Sequence, residues 1–143
     1  MTHLLVDTSV LIKWFHGDGE AELTEARLLR SAHLDGTVDA HMLDLATYEI
    51  GNVLARALHW AAADVAHQLD DLHAILGQPL VLSPSGRRRA AELAGAHALT
   101  FYDAGWAAAA AELGIALVSA DRQLLASHLA ESASSACRRL RLR

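Results

Sequence analysis

Four acidic residues in this chain stand where their carboxylates can act together: Asp7, Glu49, Asp103 and Asp121. Two of them follow predicted strands, one lies at the start of a predicted helix, and one lies in the apolar stripe of another helix. The sequence pattern predicts that all of these elements are buried. Several carboxylates can share one cleft only if cations neutralise them, and hard oxygen ligands select Mg²⁺ or Mn²⁺. These residue types therefore predict a site for such a metal ion.

Two of the aspartates follow predicted strands. Asp7 comes directly after the apolar run from His3 to Val6, and Asp121 falls just past the run from Ile115 to Val118. Short apolar runs of this kind fit interior strands of a parallel sheet. Because the carboxyl ends of parallel strands meet at one edge, we expect these two side chains to lie close together.

The other two acids lie on predicted helices. Asp103 opens an alanine-rich helix with almost no polar face, which runs to about Leu113 and is stopped by Gly114. Glu49 occupies the middle of the apolar stripe of a helix predicted over residues 42–58. An ionised carboxylate in that position is costly unless it is paired or bound to a cation.

Each acid also has a purely structural interpretation. The two strand-end aspartates can cap the helices that follow them, and Thr100 with Asp103 matches a capping box. Glu49 can form a salt bridge with Arg56, which projects on nearly the same side two turns later. For any single acid these interpretations stay open, and the combination of four is what favours a metal site.

The order of elements predicts the fold class. Strand candidates near residues 3, 37, 80 and 115 alternate with helix candidates. This alternation indicates an α/β fold, a three-layer α/β/α domain with a mostly parallel central sheet. We expect residues 1–143 to form a single domain, in which residues 131–143 are a basic edge strand or tail.

Composition limits the class of protein. The chain has 143 residues, is 52% hydrophobic and carries a net charge of −5, which indicates a compact globular protein. Residues 131–143 hold four arginines and one glutamate, so the rest of the chain is strongly acidic and does not suit duplex binding through a general positive surface. We expect neither a secretory signal nor a membrane helix, and we place the protein in the cytoplasm.

Cysteine and histidine usage adds two expectations. The single cysteine, Cys137, excludes an intramolecular disulfide and any multi-cysteine zinc site. The nine histidines show no metal-ligand spacing along the sequence, so we expect most of them to be surface groups or hydrogen-bonded groups.

Four short segments make the chain resemble the PIN-domain nucleases. They are Leu4–Ser9, Tyr48–Leu54, Tyr102–Ala104 and Val118–Arg122. In length and motif spacing the chain is most similar to the VapC-type toxins of toxin-antitoxin modules, and the resemblance extends to about residue 130. It implies a metal-dependent endoribonuclease whose four acids hold one or two Mg²⁺ or Mn²⁺ ions. It also implies that the hydroxyls of Ser9 and Ser119 position water or the ligands.

The implied reaction is hydrolysis of RNA phosphodiester bonds, in which metal-bound water attacks the phosphate. Asp7 and Asp103 are the first choices as direct ligands, and Glu49 and Asp121 complete the set. The resemblance further implies a small antitoxin encoded nearby, and we expect a homodimer. One alternative is an RNA-processing nuclease with the PIN fold that is not a toxin. The other is a non-catalytic RNA-binding domain, in which we would expect one or more of the four acids to be lost.

Two other enzyme classes fit the sequence poorly. Aspartyl phosphotransfer also begins at a strand-end aspartate, but the haloacid-dehalogenase pattern needs a second aspartate where Ser9 stands, and it uses a later lysine. The only lysine is Lys13. A dinucleotide-binding enzyme is excluded because no glycine-rich loop follows the first strand.

Overall fold

The computed structural model describes residues 1–143 as a small parallel sheet flanked by helices. The strands are β1 (Thr2–Val6), β2 (Val38–His41) and β3 (Ala116–Val118). They are hydrogen-bonded in the order β2-β1-β3, and both pairings are parallel. The α/β fold class and the parallel sheet predicted from the sequence are therefore confirmed.

Eight α-helices surround this sheet. They are α1 (Thr8–Leu11), α2 (Leu23–Leu34), α3 (Leu45–Asn52), α4 (Ala62–Leu76), α5 (Pro84–His97), α6 (Phe101–Leu113), α7 (Arg122–Ala126) and α8 (Ala133–Leu140). A 3₁₀ turn (Ile12–Trp14) follows α1, and a π-helical turn (Val53–Ala57) continues α3. None of the helices is long and apolar enough to cross a membrane.

The central strand and α6 form the middle of the core. Leu4, Leu5 and Val6 of β1 are completely inaccessible to solvent. Helix α6 is buried from Ala104 to Ala110, because its alanines let the backbone lie close to its neighbours. Gly114 ends this helix with a positive φ of 66°, a conformation in which glycine has no steric penalty.

The strand predicted near residue 80 is only a single parallel bridge between Leu80 and Leu43. The Leu80 N–H donates to Met42 O at 2.9 Å, and Leu80 O accepts from Asp44 N–H at 2.9 Å. Pro79 has no N–H to donate, which prevents the pairing from extending in that direction. The sheet therefore has three full strands.

The prediction of an edge strand or loose tail over residues 131–143 was wrong, because residues 133–140 form α8. The Ser132 hydroxyl caps this helix by accepting from Ser135 N–H at 3.1 Å. Ala133, Ala136 and Cys137 recur at helical spacing and are buried against the body of the protein. Residues 139–143 alternate Arg and Leu, a pattern typical of a strand, but they cover only the last turn of α8 and the residues after it.

Candidate active site

Asp7 is the most buried acid of the protein, with 4% of its surface exposed. It follows β1 directly and caps α1, since its Oδ1 accepts from Ser9 N–H at 3.1 Å and from the Ser9 hydroxyl at 2.5 Å. Its own N–H donates to Val118 O at 3.1 Å, which ties it to the end of β3. The capping interpretation is thus correct, and the cap also fixes the carboxylate at the sheet edge.

Burial controls the ionisation of this carboxyl group. Burial, with a smaller contribution from the negative charge of Glu49, raises the pKa of Asp7 from 3.8 to about 6. Hydrogen bonds from the hydroxyls of Ser119 and Ser9 and from Val10 N–H partly oppose this rise in pKa. The ionised form of Asp7 is therefore costly unless a positive charge comes close to it.

Glu49, on α3, is held by two donors that sequence reasoning did not anticipate. Its Oε1 accepts from the Thr8 hydroxyl at 2.9 Å and from the Trp106 indole N–H at 3.0 Å. These bonds join α3 to α1 and to α6. One of these donors could have been anticipated from the sequence, because a tryptophan in a buried helix needs a partner for its indole N–H group.

The alternative interpretation of Glu49, a salt bridge with Arg56, does not hold. Arg56 is exposed to solvent in the π-helical turn. This wider turn changes the angular position of every residue after Asn52, so Arg56 no longer projects beside Glu49. The carboxylate of Glu49 has no cationic partner.

Asp103 and Asp121 lie at the starts of two helices. Asp103 lies in the first turn of α6, where its N–H donates to the Thr100 hydroxyl at 3.1 Å. Asp121 caps α7 through Oδ1, which accepts from the N–H groups of Gln123 and Leu124, both at 3.0 Å. The pKa of Asp103 is raised, mainly by burial and to a smaller extent by the negative charges of Asp121 and Glu49.

The two serines connect Asp7 to the loop after β3. The Ser9 hydroxyl donates to Asp7 and accepts from Ala120 N–H at 2.9 Å. Ser119 is fully buried; its hydroxyl hydrogen-bonds the Asp7 carboxylate and accepts from Asp121 N–H at 3.0 Å. Both hydroxyls therefore hydrogen-bond to groups of Asp7 and of the loop that carries Asp121.

The four acids form one electrostatically coupled group, which we call the carboxylate cluster: Asp7, Glu49, Asp103 and Asp121. The charge of Glu49 acts on the pKa of both Asp7 and Asp103, and the charge of Asp121 acts on the pKa of Asp103. No lysine, arginine or histidine forms an ion pair with any member. Carboxylate oxygens are the donors that Mg²⁺ and Mn²⁺ prefer, so the residue types fit the predicted ion.

An apolar groove of about 320 Å³ is lined by residues of α3, of the segment around Leu80 and of the first turns of α6. Its exposed aromatic side chains are Tyr48, Phe101 and Tyr102. Tyr48 immediately precedes Glu49, and Tyr102 immediately precedes Asp103, although none of the four acids lines the groove itself. Exposed aromatic faces can stack on unpaired nucleic-acid bases.

The fold and the carboxylate cluster define the class of this molecule as an α/β protein with an acidic site at the carboxyl edge of a parallel sheet. The model of the PIN domain family matches residues 4–129. The chain therefore belongs to the PIN domain family, whose members are typically nucleases and typically bind divalent metal ions.

Solved structures with the same fold support this assignment. The chain is similar to PAE2754 from Pyrobaculum aerophilum, with 28% identity, a TM-score of 0.67, and coverage of 98% of this chain and 97% of that chain. It is similar to a chain of a toxin-antitoxin complex from Klebsiella pneumoniae, with 19% identity, a TM-score of 0.66, and coverage of 91% and 97%. It is also similar to FitAcB from Neisseria gonorrhoeae, with 17% identity, a TM-score of 0.64, and coverage of 90% and 96%. No curated protein matches the sequence.

Replacement of Glu49 by Gln is expected to stabilise the metal-free protein. The change removes one of four repelling charges, while the Gln carbonyl can still accept from Thr8 and Trp106. In EDTA at neutral pH we expect the free energy of unfolding to rise by about 0.5–2 kcal/mol, as found when function-related strain is relieved. Chemical denaturation of both proteins measures this difference.

The matched control is Glu49→Ala, which also removes the charge but leaves both donors without an acceptor. We expect it to be less stable than Glu49→Gln by about 1–3 kcal/mol. A Glu49→Gln protein that unfolds more easily than wild type in EDTA would contradict the electrostatic interpretation.

Proposed function

We propose that this protein is a metal-dependent endoribonuclease and the toxin of a two-protein toxin-antitoxin module. The observation that carries the nuclease proposal is the carboxylate cluster, in which four acids are coupled and none has a cationic partner. A purely structural role does not explain why a chain would bury Asp7 beside other negative charges without compensation. A site that receives Mg²⁺ or Mn²⁺ does explain it.

In this proposal each residue of the site has a distinct task. Asp7 and Asp103 bind the metal directly, and Glu49 and Asp121 complete its surroundings, directly or through water. The bound ion supplies a water of lowered pKa and neutralises charge on the phosphate. Ser9 and Ser119 hold Asp7 and the loop of Asp121 in position through the hydrogen bonds described above.

RNA suits the surroundings of the carboxylate cluster. The cluster itself repels a phosphodiester backbone, so a substrate must approach through bound cations and through contacts that do not depend on positive side chains. The exposed rings of Tyr48, Phe101 and Tyr102 offer such contacts to unpaired bases. We therefore propose single-stranded RNA as the substrate class.

The toxin assignment is supported by the motif resemblance and by the shared fold with a toxin-antitoxin complex from Klebsiella pneumoniae. The chemistry of the site suggests how a partner would inhibit it. An arginine or lysine inserted among the four carboxylates would form charge-assisted hydrogen bonds and replace the metal. We propose a small basic-tailed antitoxin as the partner, with the nuclease itself present as a homodimer in the cytoplasm.

The nuclease proposal is tested by incubating the purified protein with total RNA. We expect cleavage with added Mg²⁺ or Mn²⁺ and none in EDTA, because the acids alone supply no positive charge to the phosphate. Gel electrophoresis of the labelled RNA measures the cutting. Undiminished cleavage in EDTA would reject a metal-dependent mechanism, and covalent labelling of Asp7 by phosphate would favour phosphotransfer.

The toxin proposal is tested separately, by controlled expression in the native host. We expect growth to stop when the protein is expressed alone and to resume when the small adjacent reading frame is co-expressed. The Asp103→Asn variant is the control and should not affect growth. Normal growth with an active nuclease would reject the toxin role and leave an RNA-processing nuclease.

A further inference from the structure

A second group of metal-ligating side chains lies on the outer part of the sheet, away from the carboxylate cluster. His3 belongs to β1, and Asp39 and His41 belong to β2. The parallel register sets His3 opposite Asp39 and Leu5 opposite His41. Because side chains two apart on a strand share a face, all three groups project from the same face of the sheet.

The three ligand atoms converge on one point. His3 Nδ1 lies 3.1 Å from His41 Nε2 and 3.4 Å from Asp39 Oδ2, and His41 Nε2 lies 3.5 Å from Asp39 Oδ2. Ligands at 2.0–2.2 Å from a tetrahedral zinc ion are separated by about 3.3–3.6 Å. Octahedral Mg²⁺ requires closer ligand pairs, about 2.9 Å apart. The observed triangle is nearer to the tetrahedral spacing.

Only the contact between His3 and His41 is a hydrogen bond; the two contacts to Asp39 are longer, at 3.4 and 3.5 Å. Each imidazole nitrogen holds at most one proton, and the carboxylate of Asp39 holds none when ionised. A proton shared between His3 and His41 leaves Asp39 Oδ2 with no hydrogen directed at it, whereas protons on both rings place two N–H groups 3.1 Å apart. A single cation among the three atoms makes every contact favourable at once.

We propose that His3, Asp39 and His41 form a transition-metal site that binds one Zn²⁺ ion. Two imidazole nitrogens and one carboxylate oxygen favour Zn²⁺ over Mg²⁺. The three side chains are 48%, 39% and 26% exposed, respectively, so an ion can enter from solvent and keep its fourth position for water. The ion joins the edge strand β2 to the central strand β1.

This site is separate from the carboxylate cluster. His3 precedes Asp7 by four residues along β1, which corresponds to about 13 Å between their Cα atoms. The fully buried Leu5 lies between them on the strand. The proposal therefore does not depend on whether the protein is a nuclease.

Zinc titration of the untagged, chelator-treated protein tests the proposal. The titration is run in a large excess of Mg²⁺, which occupies the carboxylate cluster but competes poorly for imidazoles. We expect one equivalent of Zn²⁺ to bind by calorimetry and to raise the melting temperature, since the ion binds only the native pairing of β1 and β2. No binding, or binding without any effect on melting, would overturn the proposal.

Variants identify the ligands. Because loss of an outer partner of a metal ligand already costs about 10–100-fold in affinity, His3→Gln and His41→Gln should each weaken Zn²⁺ binding by at least about 100-fold. The control is His67→Gln on α4, where His67 is 79% exposed and meets only Asp71; it should bind Zn²⁺ as wild type does. Unchanged affinity in either His3→Gln or His41→Gln would assign the ion elsewhere.

Cobalt gives an independent spectroscopic test. Co²⁺ in the same site should show the intense visible absorption of a tetrahedral complex, and His41→Gln should remove it. Nitrogen NMR should report coordination through Nδ1 of His3 and Nε2 of His41, as their positions require. Coordination through the opposite nitrogens, or an octahedral Co²⁺ spectrum, would contradict the geometry.

Discussion

RNA cleavage in Mg²⁺ is expected to fall at least about 100-fold when Asp7 or Asp103 is replaced by Asn, because each change removes a charged ligand from the proposed metal site. Asn preserves the size of both side chains, and at position 7 its amide oxygen can still accept the capping bond from Ser9. The loss should therefore reflect metal binding rather than folding. Initial rates of cleavage of a labelled RNA measure the effect.

The matched control is Asp70→Asn on α4. Asp70 is exposed and belongs to no ion pair, so its replacement changes the net charge by the same amount without touching the carboxylate cluster. We expect its cleavage rate to equal that of wild type. If the Asp7 and Asp103 variants kept more than about a tenth of the activity, the metal-ligand assignment would be wrong.

The stability of the metal-free protein is expected to fall as the pH rises from about 4 to about 6. Burial raises the pKa of Asp7 from 3.8 to about 6, so the folded protein binds this proton more tightly than the unfolded chain does. The stabilisation is complete below the unfolded pKa and is lost as the pH rises through the folded pKa. The difference between the two pKa values corresponds to about 3 kcal/mol.

Denaturation of wild type and Asp7→Asn in EDTA across this pH range measures the effect. The Asn variant cannot titrate at position 7, so the difference between the two proteins isolates Asp7 from the histidines and the other acids. We expect wild type to lose stability relative to Asp7→Asn as the pH rises, and saturating Mg²⁺ to reduce that loss near neutral pH. A pH-independent difference would show that Asp7 is ionised without cost in the fold.

Local signals in the sequence were sufficient to determine the elements around the site. Strand-end aspartates, the cap at Thr100 and the stop at Gly114 act through neighbouring residues, so their effect does not depend on the rest of the chain. The alternation of strands and helices then restricts the sheet to parallel pairing, which brings Asp7 and Asp121 to one edge. For this reason the fold class and the membership of the carboxylate cluster could be predicted together.

Contacts between elements that are distant in sequence could not be predicted in this way. The partners of Glu49 come from α1 and α6, and the π-helical turn that turns Arg56 outward has no clear local signal. Helix α8 was missed because the Arg and Leu alternation after Cys137 obscured the helical spacing of its buried residues.

The proposed site of His3, Asp39 and His41 shows most clearly the difference between what the sequence predicts and what only the tertiary structure decides. No spacing along the chain relates His3 to Asp39 and His41, which are more than thirty residues away. Only the register of β1 against β2 brings their ligand atoms together, because strand pairing aligns residues by position in the sheet. The sequence by itself supplied residue types that can bind a metal ion, and only the tertiary structure decided that these three meet.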